Sequence, residues 1–384
     1  MRILLVSSSS GSRGGGELFL LSLAESLRGL GHEPGLWASD HPRMDELARR
    51  FVPIGPVHRE SYLNTYDRRL RSFSDAVDLR SGRRVAAAWR KLAPDVVHLN
   101  KQNLEDGLDL IWAARFASLA TVCTIHVTQT ARYLNARHGW ARDAVARALL
   151  HRYPGRLVAI GASRRSDLNR FLGWRNGRSA TLVENGVTLP SRQRLSRLRQ
   201  ETRLRLGLHD GHLLGLGVGR MVEQKRPLLF LEHAAQVAAV EPRARFCWVG
   251  DGPLRPQWDA EVIRHALDER VLTPGWAQDV LPYYAAADFL LHAAAYEGLP
   301  LALLEGMAAG LPCVVTSNLY DDLEFLKSAG VLRAGEEGWI TTLACSSRRQ
   351  ALGERCRDLA ARQYSVERMA RDYIYLYELA TAAN

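Results

Sequence analysis

Short apolar runs alternate with longer amphipathic stretches along the whole chain. After the first run, Leu20, Leu23 and Leu27 recur at helical spacing, and Gly31 follows as a stop signal. This alternation is typical of parallel β-sheets whose strands are joined by crossover helices. It predicts strands at 2–6, 35–38, 95–99, 120–126, 157–160 and 181–183, and again at 213–218, 246–249, 271–273, 289–292 and 313–316. Helices are predicted near 228–240, 258–267, 281–287 and 300–309, with one long amphipathic helix at about 348–379.

The repeated pattern and the length of 384 residues predict two domains, because one hydrophobic core rarely organises so long a chain. We expect an α/β protein of two Rossmann-like parallel-sheet domains that face each other across a cleft, with ligands at the carboxyl ends of the strands. The first domain is predicted at 1–190 and the second at 191–369. The last helix, about 370–384, is expected to pack back on the first domain, and the polar segment 188–197 is expected to be the linker.

Composition narrows the class of protein. Hydrophobic residues make up 47% of the chain and charged residues 24%, which excludes a wholly disordered or fibrous protein. The five cysteines lie far apart and form no C-x-x-C pair, so we expect them to be reduced. The apolar runs are too short for a signal peptide or a membrane span. These features predict a cytoplasmic protein.

The formal net charge of +10 is concentrated in the first half of the chain. Residues 1–190 contain 28 Lys and Arg against 17 Asp and Glu, whereas residues 191–384 contain 23 against 24. Such a field favours an anionic partner, which can be a phosphorylated substrate, an acidic lipid surface or a nucleic acid. An arginine-rich surface that contacts only water explains the same numbers, so both interpretations stay open.

The loop after the first strand, 11–17, is rich in glycine. Its backbone N–H groups near Gly15 and Gly16 can approach an anion closely, at the positive end of the helix that follows. Arg13 breaks the G-x-G-x-x-G spacing, and no acidic residue ends the second strand, which disfavours a nicotinamide dehydrogenase. A purely structural turn is the alternative interpretation.

The loop after the predicted strand 213–218 carries two cations. Arg220 presents a planar fork and Lys225 a point charge, so the two side chains can converge on a diphosphate. Two ordinary surface residues are the alternative. The sequence contains no P-loop, which leaves a P-loop ATPase without support.

The segment 297–310 reads EGLPLALLEGMAAG and follows the predicted strand 289–292. Pro300 suits the first turn of a helix and Gly310 suits its end, which places Glu297 in a loop and Glu305 on the helix. A carboxylate accepts hydrogen bonds from paired hydroxyls, so these two glutamates can clamp a ribose and a sugar. A capping glutamate and a surface glutamate explain the spacing equally well.

Taken in order, these pieces resemble the retaining glycosyltransferases of family 4, which have the GT-B fold. The most specific part of the resemblance is the pair of glutamates eight residues apart inside E-G-L-P-L-x-L-L-E-x-M-A-x-G. The other shared pieces are Gly15-Gly16-Glu17, His98, Thr124-Ile125-His126, Ala162-Ser163, Val183-Glu184-Asn185-Gly186-Val187, Gly219-Arg220 with Lys225, Gly250-Asp251-Gly252-Pro253 and Tyr364-Ser365.

The resemblance implies a role for each matching position. Arg220 and Lys225 would hold the donor diphosphate and stabilise the charge on the leaving group. Glu305 would bind the ribose hydroxyls and Glu297 the hydroxyls of the transferred sugar, while His126 would lie near that sugar. The donor-binding positions it implies are Gly15, Gly16, Gly219, Gly298, Leu299 and Glu305.

The resemblance also implies a reaction. A hexose-type sugar would pass from a nucleotide diphosphate donor, by default UDP-linked, to a hydroxyl of a glycan, glycolipid or small-molecule acceptor, without a protein nucleophile. Domain 1–190 would then be the acceptor side and domain 191–369 the donor side. No metal is expected, since the sequence contains no D-x-D metal clamp. The chain departs from the family pattern at Ala293-Ala294, where relatives often carry Pro-Ser, and at 318–322, where paired glycines are expected.

Two other function classes compete with this interpretation. A nucleotide-sugar epimerase of the same fold needs an acid and a base that flank the sugar, and no such set is evident. A basic nucleic-acid-binding protein would explain the charge but needs aromatic residues among its cations, and aromatic residues make up only 8% of the chain. We therefore expect no nucleic-acid partner.

The stretch 132–156 carries a cation about every five residues beside Tyr133, Trp140, Leu149 and Leu150. Two interpretations are open. Its apolar side either lies on an anionic membrane, in peripheral contact with the inner face of the cytoplasmic membrane, or packs on the sheet of the first domain. The cations are Arg132, Arg137, Arg142, Arg147, Arg152 and Arg156.

Overall fold

The structure is a computed structural model that describes residues 1–9, 11–12, 14–174, 179–323 and 325–383; Arg13, which breaks the glycine spacing of the first loop, lies outside them. The strands are β1 (Arg2–Ser7), β2 (Glu33–Ser39), β3 (Val57–Glu60), β4 (Val96–Asn103), β5 (Ala120–Val127), β6 (Arg156–Ala159), β7 (Thr181–Leu182), β8 (Leu213–Val218), β9 (Ala244–Val249), β10 (Val271–Gly275), β11 (Phe289–His292), β12 (Cys313–Val315) and β13 (Leu332–Arg333).

The α-helices are α1 (Gly15–Gly29), α2 (Asp45–Phe51), α3 (Ser72–Val77), α4 (Leu79–Leu92), α5 (Leu108–Ala117), α6 (Gly139–Leu150), α7 (Ala162–Leu172), α8 (Arg192–Arg205), α9 (Pro227–Val240), α10 (Arg255–Arg264), α11 (Leu281–Ala286), α12 (Leu301–Ala308), α13 (Ser317–Asp322), α14 (Phe325–Ala329), α15 (Trp339–Ala344), α16 (Ser346–Gln363) and α17 (Val366–Ala382). Short 3₁₀ helices span Pro42–Met44, Thr65–Asp67 and Glu223–Lys225. No helix in the described part of the chain is both long enough and apolar enough to cross a bilayer.

The chain divides into two units. The first comprises Met1–Asn185 and Val366–Asn384, and the second comprises Gly186–Ser365. Within the described residues, the first unit contains one parallel sheet of seven strands in the order β3-β2-β1-β4-β5-β6-β7. The strand order reverses between β1 and β4, so the loops after these two strands diverge and leave room for a ligand at their carboxyl ends.

The second unit repeats this arrangement. Its described strands form a parallel sheet of six in the order β10-β9-β8-β11-β12-β13, and the order reverses between β8 and β11. In the register of this sheet, Leu290 of β11 lies opposite Leu216 on one side and Cys313 on the other. The prediction of two Rossmann-like parallel sheets is therefore confirmed.

Helices cover both faces of the first sheet, which is why its strands read as nearly continuous apolar runs. Trp37, Trp89 and Leu99 lie in the core on one face, and Leu5 and Tyr373 lie in the core on the other. In the second unit, one core packs α9, α10 and α15 against a face of the sheet, and Leu290, Leu304 and Val315 are buried outside that core.

The last helix, α17, is fixed to the first sheet by buried hydrogen bonds. The Tyr377 hydroxyl lies 2.6 Å from His98 Nδ1, and His98 Nε2 lies 2.8 Å from the Thr124 hydroxyl. The Tyr373 hydroxyl lies 2.8 Å from that same Thr124 oxygen. Burial lowers the pKa of His98 to about 3, with a smaller contribution from His126, so the imidazole joins this network in its neutral form.

The prediction of one long helix at 348–379 is wrong. Helix α16 ends at Gln363 and α17 begins at Val366. The Tyr364 carbonyl between them accepts a hydrogen bond of 2.7 Å from the Val187 N–H, and Ser365 pairs with Val187 as an isolated parallel bridge. Because the backbone of Tyr364 and Ser365 pairs with Val187, it does not continue the helical hydrogen bonds, and the helix is interrupted between Gln363 and Val366.

The predicted linker 188–197 contains the start of a helix. Ser191 caps α8, because its Oγ accepts a hydrogen bond of 3.2 Å from the Arg194 N–H. Further along α8, Arg199 donates to Asp288 at 2.7 Å. The polar composition that suggested a linker therefore belongs to the arginine-rich helix α8. This helix is held to the rest of the second unit by hydrogen bonds such as the one from Arg199 to Asp288.

Two strands, β3 and β13, were not predicted. Both lie at the edge of a sheet, where one backbone edge and part of each side chain contact solvent. β3 reads VHRE and has only half-buried residues, and β13 spans two residues. Neither carries the apolar run that marks a central strand.

Candidate functional site

A lysine and a glutamate form an ion pair at the point where the strand order of the second sheet reverses. Lys225 lies in the loop after β8, and Glu297 lies in the loop after β11. The Lys225 ammonium donates a hydrogen bond to Glu297 Oε1, and His292 Nε2 lies 3.3 Å from the same oxygen. The two side chains of the pair are only 21% and 10% exposed. The structure thus unites two predicted site residues that are far apart in sequence.

The charge on Glu297 is strongly favoured. Burial on its own would raise the pKa of this carboxyl, but the opposing charge of Lys225 and the proximity of His292 outweigh it and lower the pKa to about 2. Glu297 is therefore an anion at any physiological pH. The pair presents an ammonium that can bind an anion and a carboxylate that can accept hydrogen bonds from hydroxyls.

Backbone contacts hold the two loops together around this pair. The Ala295 N–H donates to the Gln224 carbonyl at 2.8 Å, and Gln224 Nε2 donates back to the Tyr296 carbonyl at 3.1 Å. The neighbours of Lys225 and Glu297 are thus fixed to each other independently of the ion pair. Such support keeps a binding group in place before its ligand arrives.

Gly219 and Gly250 let the loops after β8 and β9 approach closely. Gly219 has φ +153° and Gly250 has φ +141°, in the region that favours glycine. A Cβ atom on Gly250 would lie 2.0 Å from the Gly219 carbonyl oxygen, so any side chain there would force the loops apart. Arg220 follows with an exposed side chain, and the described contacts of the Lys225–Glu297 pair do not include it.

Glu305 lies on α12, as predicted, with a tyrosine beside it. The Tyr284 hydroxyl, from α11, lies 2.9 Å from Glu305 Oε2. Burial raises the pKa of Glu305 to about 7, although the hydrogen bond with Tyr284 opposes this shift. Its charge therefore changes close to neutral pH, unlike that of Glu297.

The loop that leads into α12 has the predicted form. Gly298 and Leu299 are buried in it, and Pro300 caps the helix. Gly310 has φ +83° just beyond the helix end, where the next N–H, that of Leu311, donates back to the Gly306 carbonyl at 3.0 Å. The proline and glycine signals thus set both ends of α12.

The glycine-rich loop of the first unit holds a buried glutamate. Gln102 Nε2 donates to Glu17 Oε1 at 2.7 Å. A Cβ atom on Gly16 would lie 2.2 Å from Gln102 Nε2, and one on Gly14 would lie 2.4 Å from Glu17 Oε2. These two glycines therefore make room for the Glu17–Gln102 pair, which is a structural reason for glycine here. Gly15, in the first turn of α1, is exposed.

Burial dominates the titration of Glu17. Its side chain is 1% exposed, and burial raises its pKa to about 7 even though Ser9 and backbone N–H groups donate to it. A carboxyl of this kind carries a proton for part of the time at neutral pH and can then donate a hydrogen bond.

Asn100 joins His126 to the same loop. Asn100 Nδ2 donates to the Gly16 carbonyl at 3.1 Å, which leaves Oδ1 to accept from His126 Nε2 at 2.6 Å. Burial lowers the pKa of His126 to about 4, so the ring is neutral with its proton on Nε2. The other ring nitrogen, Nδ1, is then an acceptor. His126 is thus oriented by a neighbour 26 residues earlier in the chain.

Four residues of these clusters were not predicted: Asn100, Gln102, Tyr284 and His292. None belongs to a sequence motif with a chemical meaning of its own, although each lies near the end of a strand or at the start of the next helix. Among the described residues, no three His, Cys, Asp or Glu side chains are grouped so that they could hold a metal ion.

Two family models match the sequence. Residues 13–189 match the model described as Glycosyltransferase Family 4, and residues 214–360 match the model described as Glycosyl transferases group 1. Together the two matches cover most of both units.

Individual proteins are similar over parts of the chain. The UDP-Gal:alpha-D-GlcNAc-diphosphoundecaprenol alpha-1,3-galactosyltransferase of Escherichia coli is 34% identical over 116 residues, which is 29% of this chain and 30% of that protein. The alpha-monoglucosyldiacylglycerol synthase of Acholeplasma laidlawii is 23% identical over 252 residues, 63% of this chain and 62% of that protein. The chain thus spans less than two thirds of the length of these relatives.

A solved structure is similar over nearly the whole chain. HepE from Anabaena, crystallised with UDP and glucose, superposes with a TM-score of 0.74 at 18% identity, covering 99% of this chain and all of that one. At this identity the likeness shows the fold alone.

Proposed function

The chain belongs to the family 4 glycosyltransferases and has their GT-B fold, and from this premise we propose that it transfers a hexose-type sugar from a nucleotide diphosphate donor to an acceptor hydroxyl. The acceptor is a glycan, a glycolipid or a small molecule. We propose further that the reaction retains the anomeric configuration and needs no divalent metal ion. The observation that carries the proposal is the Lys225–Glu297 pair at the switch point of the second sheet.

Lys225 is proposed to bind the donor diphosphate. It lies at the carboxyl end of β8, where open parallel sheets bind their ligands, and it is only 21% exposed, so its charge is poorly screened. Arg220, on the same loop with an exposed side chain, is proposed to add a second cation when the donor arrives. Gly219 has no side chain, and a Cβ atom at this position would lie 3.3 Å from the Lys225 side chain. Two cations on the diphosphate stabilise the negative charge that develops as the nucleotide leaves.

The two glutamates are proposed to clamp the two rings of the donor. Glu297 is held as an anion and accepts hydrogen bonds from hydroxyls of the transferred sugar. Glu305, on the helix α12 that follows the loop of Glu297, accepts hydrogen bonds from the ribose hydroxyls. Backbone N–H groups near Gly298 and Leu299, in the loop before α12, are proposed to bind the diphosphate as well.

The first unit is proposed to supply the acceptor side. Gly15 and Gly16 begin α1, where the positive end of the helix attracts negative charge. His126 is neutral, and its Nδ1 is proposed to accept a hydrogen bond from a hydroxyl of the transferred sugar. Relatives support a nucleotide-sugar donor, since the Escherichia coli protein is named for UDP-Gal and HepE was crystallised with UDP and glucose.

The proposed step needs no protein nucleophile. The bond between the sugar C1 and the diphosphate oxygen breaks, and a bond from C1 to the acceptor oxygen forms on the same face. The acceptor proton passes to an oxygen of the departing diphosphate. The cations on the diphosphate supply the main stabilisation, which is why we propose independence from metal ions.

A panel of nucleotide sugars tests the proposed function. Release of free nucleotide is measured for UDP, GDP, ADP and TDP sugars, with and without simple glycoside acceptors, and the anomeric configuration of the product is read from its proton NMR couplings. We expect one donor class to be turned over with retention. No turnover of any donor, or an inverted product, would contradict the proposal.

Chelation tests the proposed independence from metal ions. Turnover is measured after extensive dialysis against EDTA and again after Mg²⁺ or Mn²⁺ is restored. We expect equal rates in both conditions, because cationic side chains neutralise the diphosphate. A loss of about tenfold or more with EDTA that the metal restores would show that an ion takes part.

A further inference from the structure

A group of large apolar side chains lies exposed on the first unit. Trp140 is 72% exposed, Tyr133 64%, Leu70 62%, Leu134 40% and Tyr66 39%. Single exposed apolar residues are ordinary, but a contiguous group of them marks a surface that meets a partner. These five residues come from two segments, 66–70 and 133–140, that are far apart in sequence.

A buried glutamate joins the residues that closely follow the two segments. Glu105 accepts hydrogen bonds from Ser72 at 3.0 Å and from Arg142 Nε at 2.7 Å. Leu70 lies two residues before Ser72, and Trp140 lies two residues before Arg142. Helix α3 packs against α6, and Leu70 and Trp140 each lie two residues from a partner of Glu105 at this contact.

The loop 131–139 is fixed over the start of α6. The Ala131 and Arg132 N–H groups donate to the Asp143 carboxylate at 2.7 and 3.1 Å. A Cβ atom on Gly139 would lie 2.7 Å from the Arg132 backbone, so the loop is in direct contact with the first turn of the helix. An open cavity of about 620 Å³ lies between them and is lined in part by Arg132 and Trp140.

Exposed cations accompany the apolar residues in the same two segments. Arg69, Arg71, Arg132 and Arg137 are all exposed. With their flanking arginines, the two segments span 66–71 and 132–140 and contain one acidic residue, Asp67, whose carboxylate already pairs with Arg43. We call the surface formed by Tyr66, Leu70, Tyr133, Leu134, Trp140 and these four arginines the Trp140 surface.

We propose that the Trp140 surface binds the interface of an anionic lipid bilayer. Tryptophan and tyrosine rings favour the headgroup level of a membrane, because one end is apolar and the other polar. The arginines would lie among the anionic headgroups, where each basic residue strengthens binding about fivefold. The proposal stands apart from the proposed chemistry, although a lipid-linked acceptor would be reached from such a surface.

For two of the apolar residues in 132–156, the structure decides between membrane contact and packing on the first unit. Leu149 and Leu150, the apolar residues in the second half of α6, are buried in the core of the first unit. The apolar side of the second half of that helix therefore packs on the protein. The surface available to lipid is formed by the chain before α3, the loop before α6 and Trp140 in the first turn of α6. A soluble partner with few anionic groups would not need four exposed arginines, and an acidic polymer would not need exposed Trp140 and Leu70.

Vesicle sedimentation tests this proposal with the full chain. The probes are phosphatidylcholine vesicles with and without about 30 mol% phosphatidylglycerol, at low and high ionic strength. The first variant is the double substitution Trp140→Ser and Leu70→Ser, and the second is Arg132→Gln with Arg137→Gln. Leu204→Ser, at a position 82% exposed in the second unit, and Arg194→Gln with Arg348→Gln are matched controls.

The wild type is expected to sediment with the anionic vesicles and to be released by salt. The arginine double variant should bind about 25-fold more weakly and the Trp140 and Leu70 double variant at least about tenfold more weakly, while both controls bind like the wild type. Thermal unfolding and donor turnover in solution, measured in the same preparations, show that the variants are folded and keep the membrane result separate from the proposed catalysis. The proposal is overturned if the wild type does not sediment with the vesicles, or if all variants bind equally. It is also overturned if the protein is retained by a soluble anionic polysaccharide but does not bind vesicles.

Discussion

Lys225 and Glu297 are 72 residues apart in sequence and share a hydrogen bond at the reversal of strand order in the second sheet. In the absence of a ligand, the carboxylate of Glu297 neutralises the ammonium of Lys225. A bound diphosphate would take over part of that neutralisation and leave Glu297 available to sugar hydroxyls. The ion pair therefore holds both groups in place before the donor binds, which avoids an uncompensated buried charge.

Lys225→Ala is expected to lower turnover by a factor of about 100 to 1,000, because it removes a cation from the leaving diphosphate. Binding of UDP should weaken, whereas binding of uridine, which lacks the diphosphate, should change little. Steady-state rates and calorimetric titrations measure both effects. Lys327→Ala, at an exposed lysine of the same unit, is the control. Wild-type turnover in Lys225→Ala would remove this residue from the proposed site.

Tyr284→Phe is expected to change the pH dependence of donor binding. Glu305 accepts from a ribose as a carboxylate, and its pKa is about 7, so UDP affinity should rise as pH increases through 7. The Tyr284 hydrogen bond lowers that pKa, so its loss should move the midpoint to higher pH. The dissociation constant of UDP, measured from pH 5.5 to about 9, reports the shift.

Two further variants serve as controls for the experiment on Tyr284. Tyr283→Phe removes the hydroxyl of the adjacent tyrosine, whose ring instead lies under Arg205, and should leave the midpoint in place. Glu305→Gln should bind UDP more weakly at high pH and show a flat profile. An identical midpoint in Tyr284→Phe and the wild type would show that this tyrosine does not control Glu305.

Asn100→Ala is expected to reduce turnover about tenfold, because His126 would lose the acceptor that fixes its proton on Nε2. Asn100→Asp keeps an acceptor for His126 and should recover part of the rate, but its negative charge should raise the pKa of the imidazole and add a pH dependence below neutrality. The profile of kcat/KM against pH distinguishes these effects. Asn169→Ala, whose side chain pairs with residues 179 and 180 of the first unit, is the control. A wild-type profile in Asn100→Ala would show that His126 needs no such support.

Glu17→Gln is expected to make the protein more stable at pH 8 than the wild type. The pKa of Glu17 rises from 4.5 to about 7 on folding, so the folded state binds the extra proton and wild-type stability falls as pH increases from about 4.5 through 7. The shift corresponds to roughly 3 kcal/mol at pH 8, and a permanently neutral glutamine avoids that loss. Urea unfolding at pH 5 and pH 8 measures it.

The control for this prediction is Glu25→Gln, at an exposed glutamate of the same helix. It should follow the wild type at both pH values. If Glu17→Gln and the wild type lose the same stability between pH 5 and pH 8, burial of Glu17 does not set its titration.

Much of the donor side could be predicted from local sequence patterns. The proline and glycine that set the ends of α12 placed Glu305 on a helix and Glu297 before it, and the apolar run of β8 placed Lys225 in the loop that follows. Strand ends of parallel sheets meet at one edge, so residues in such loops converge whatever their separation in sequence. The roles of these residues in binding the donor stay predictions.

The unpredicted parts are pairings between segments. Asn100 with His126, Tyr284 with Glu305 and Gln102 with Glu17 depend on which helix covers which strand, and no local period carries that information. The break between α16 and α17 has the same origin, since the pairing of Ser365 with Val187 ends a pattern that is otherwise helical.

Local patterns along the chain are enough to assign the class of this protein. Alternating apolar runs and amphipathic stretches form parallel sheets with crossover helices, because local periodicity sets which face of each element is buried. Which buried side chains meet, and which apolar ones stay exposed, depends on how the segments pack in three dimensions. The apolar residues Leu149 and Trp140 lie on one helix, yet the first is buried and the second faces solvent. The last turn of α6 packs into the core of the first unit and buries Leu149, whereas its first turn leaves Trp140 exposed beside the loop 131–139. This coverage follows from the packing of distant segments rather than from any pattern along the chain.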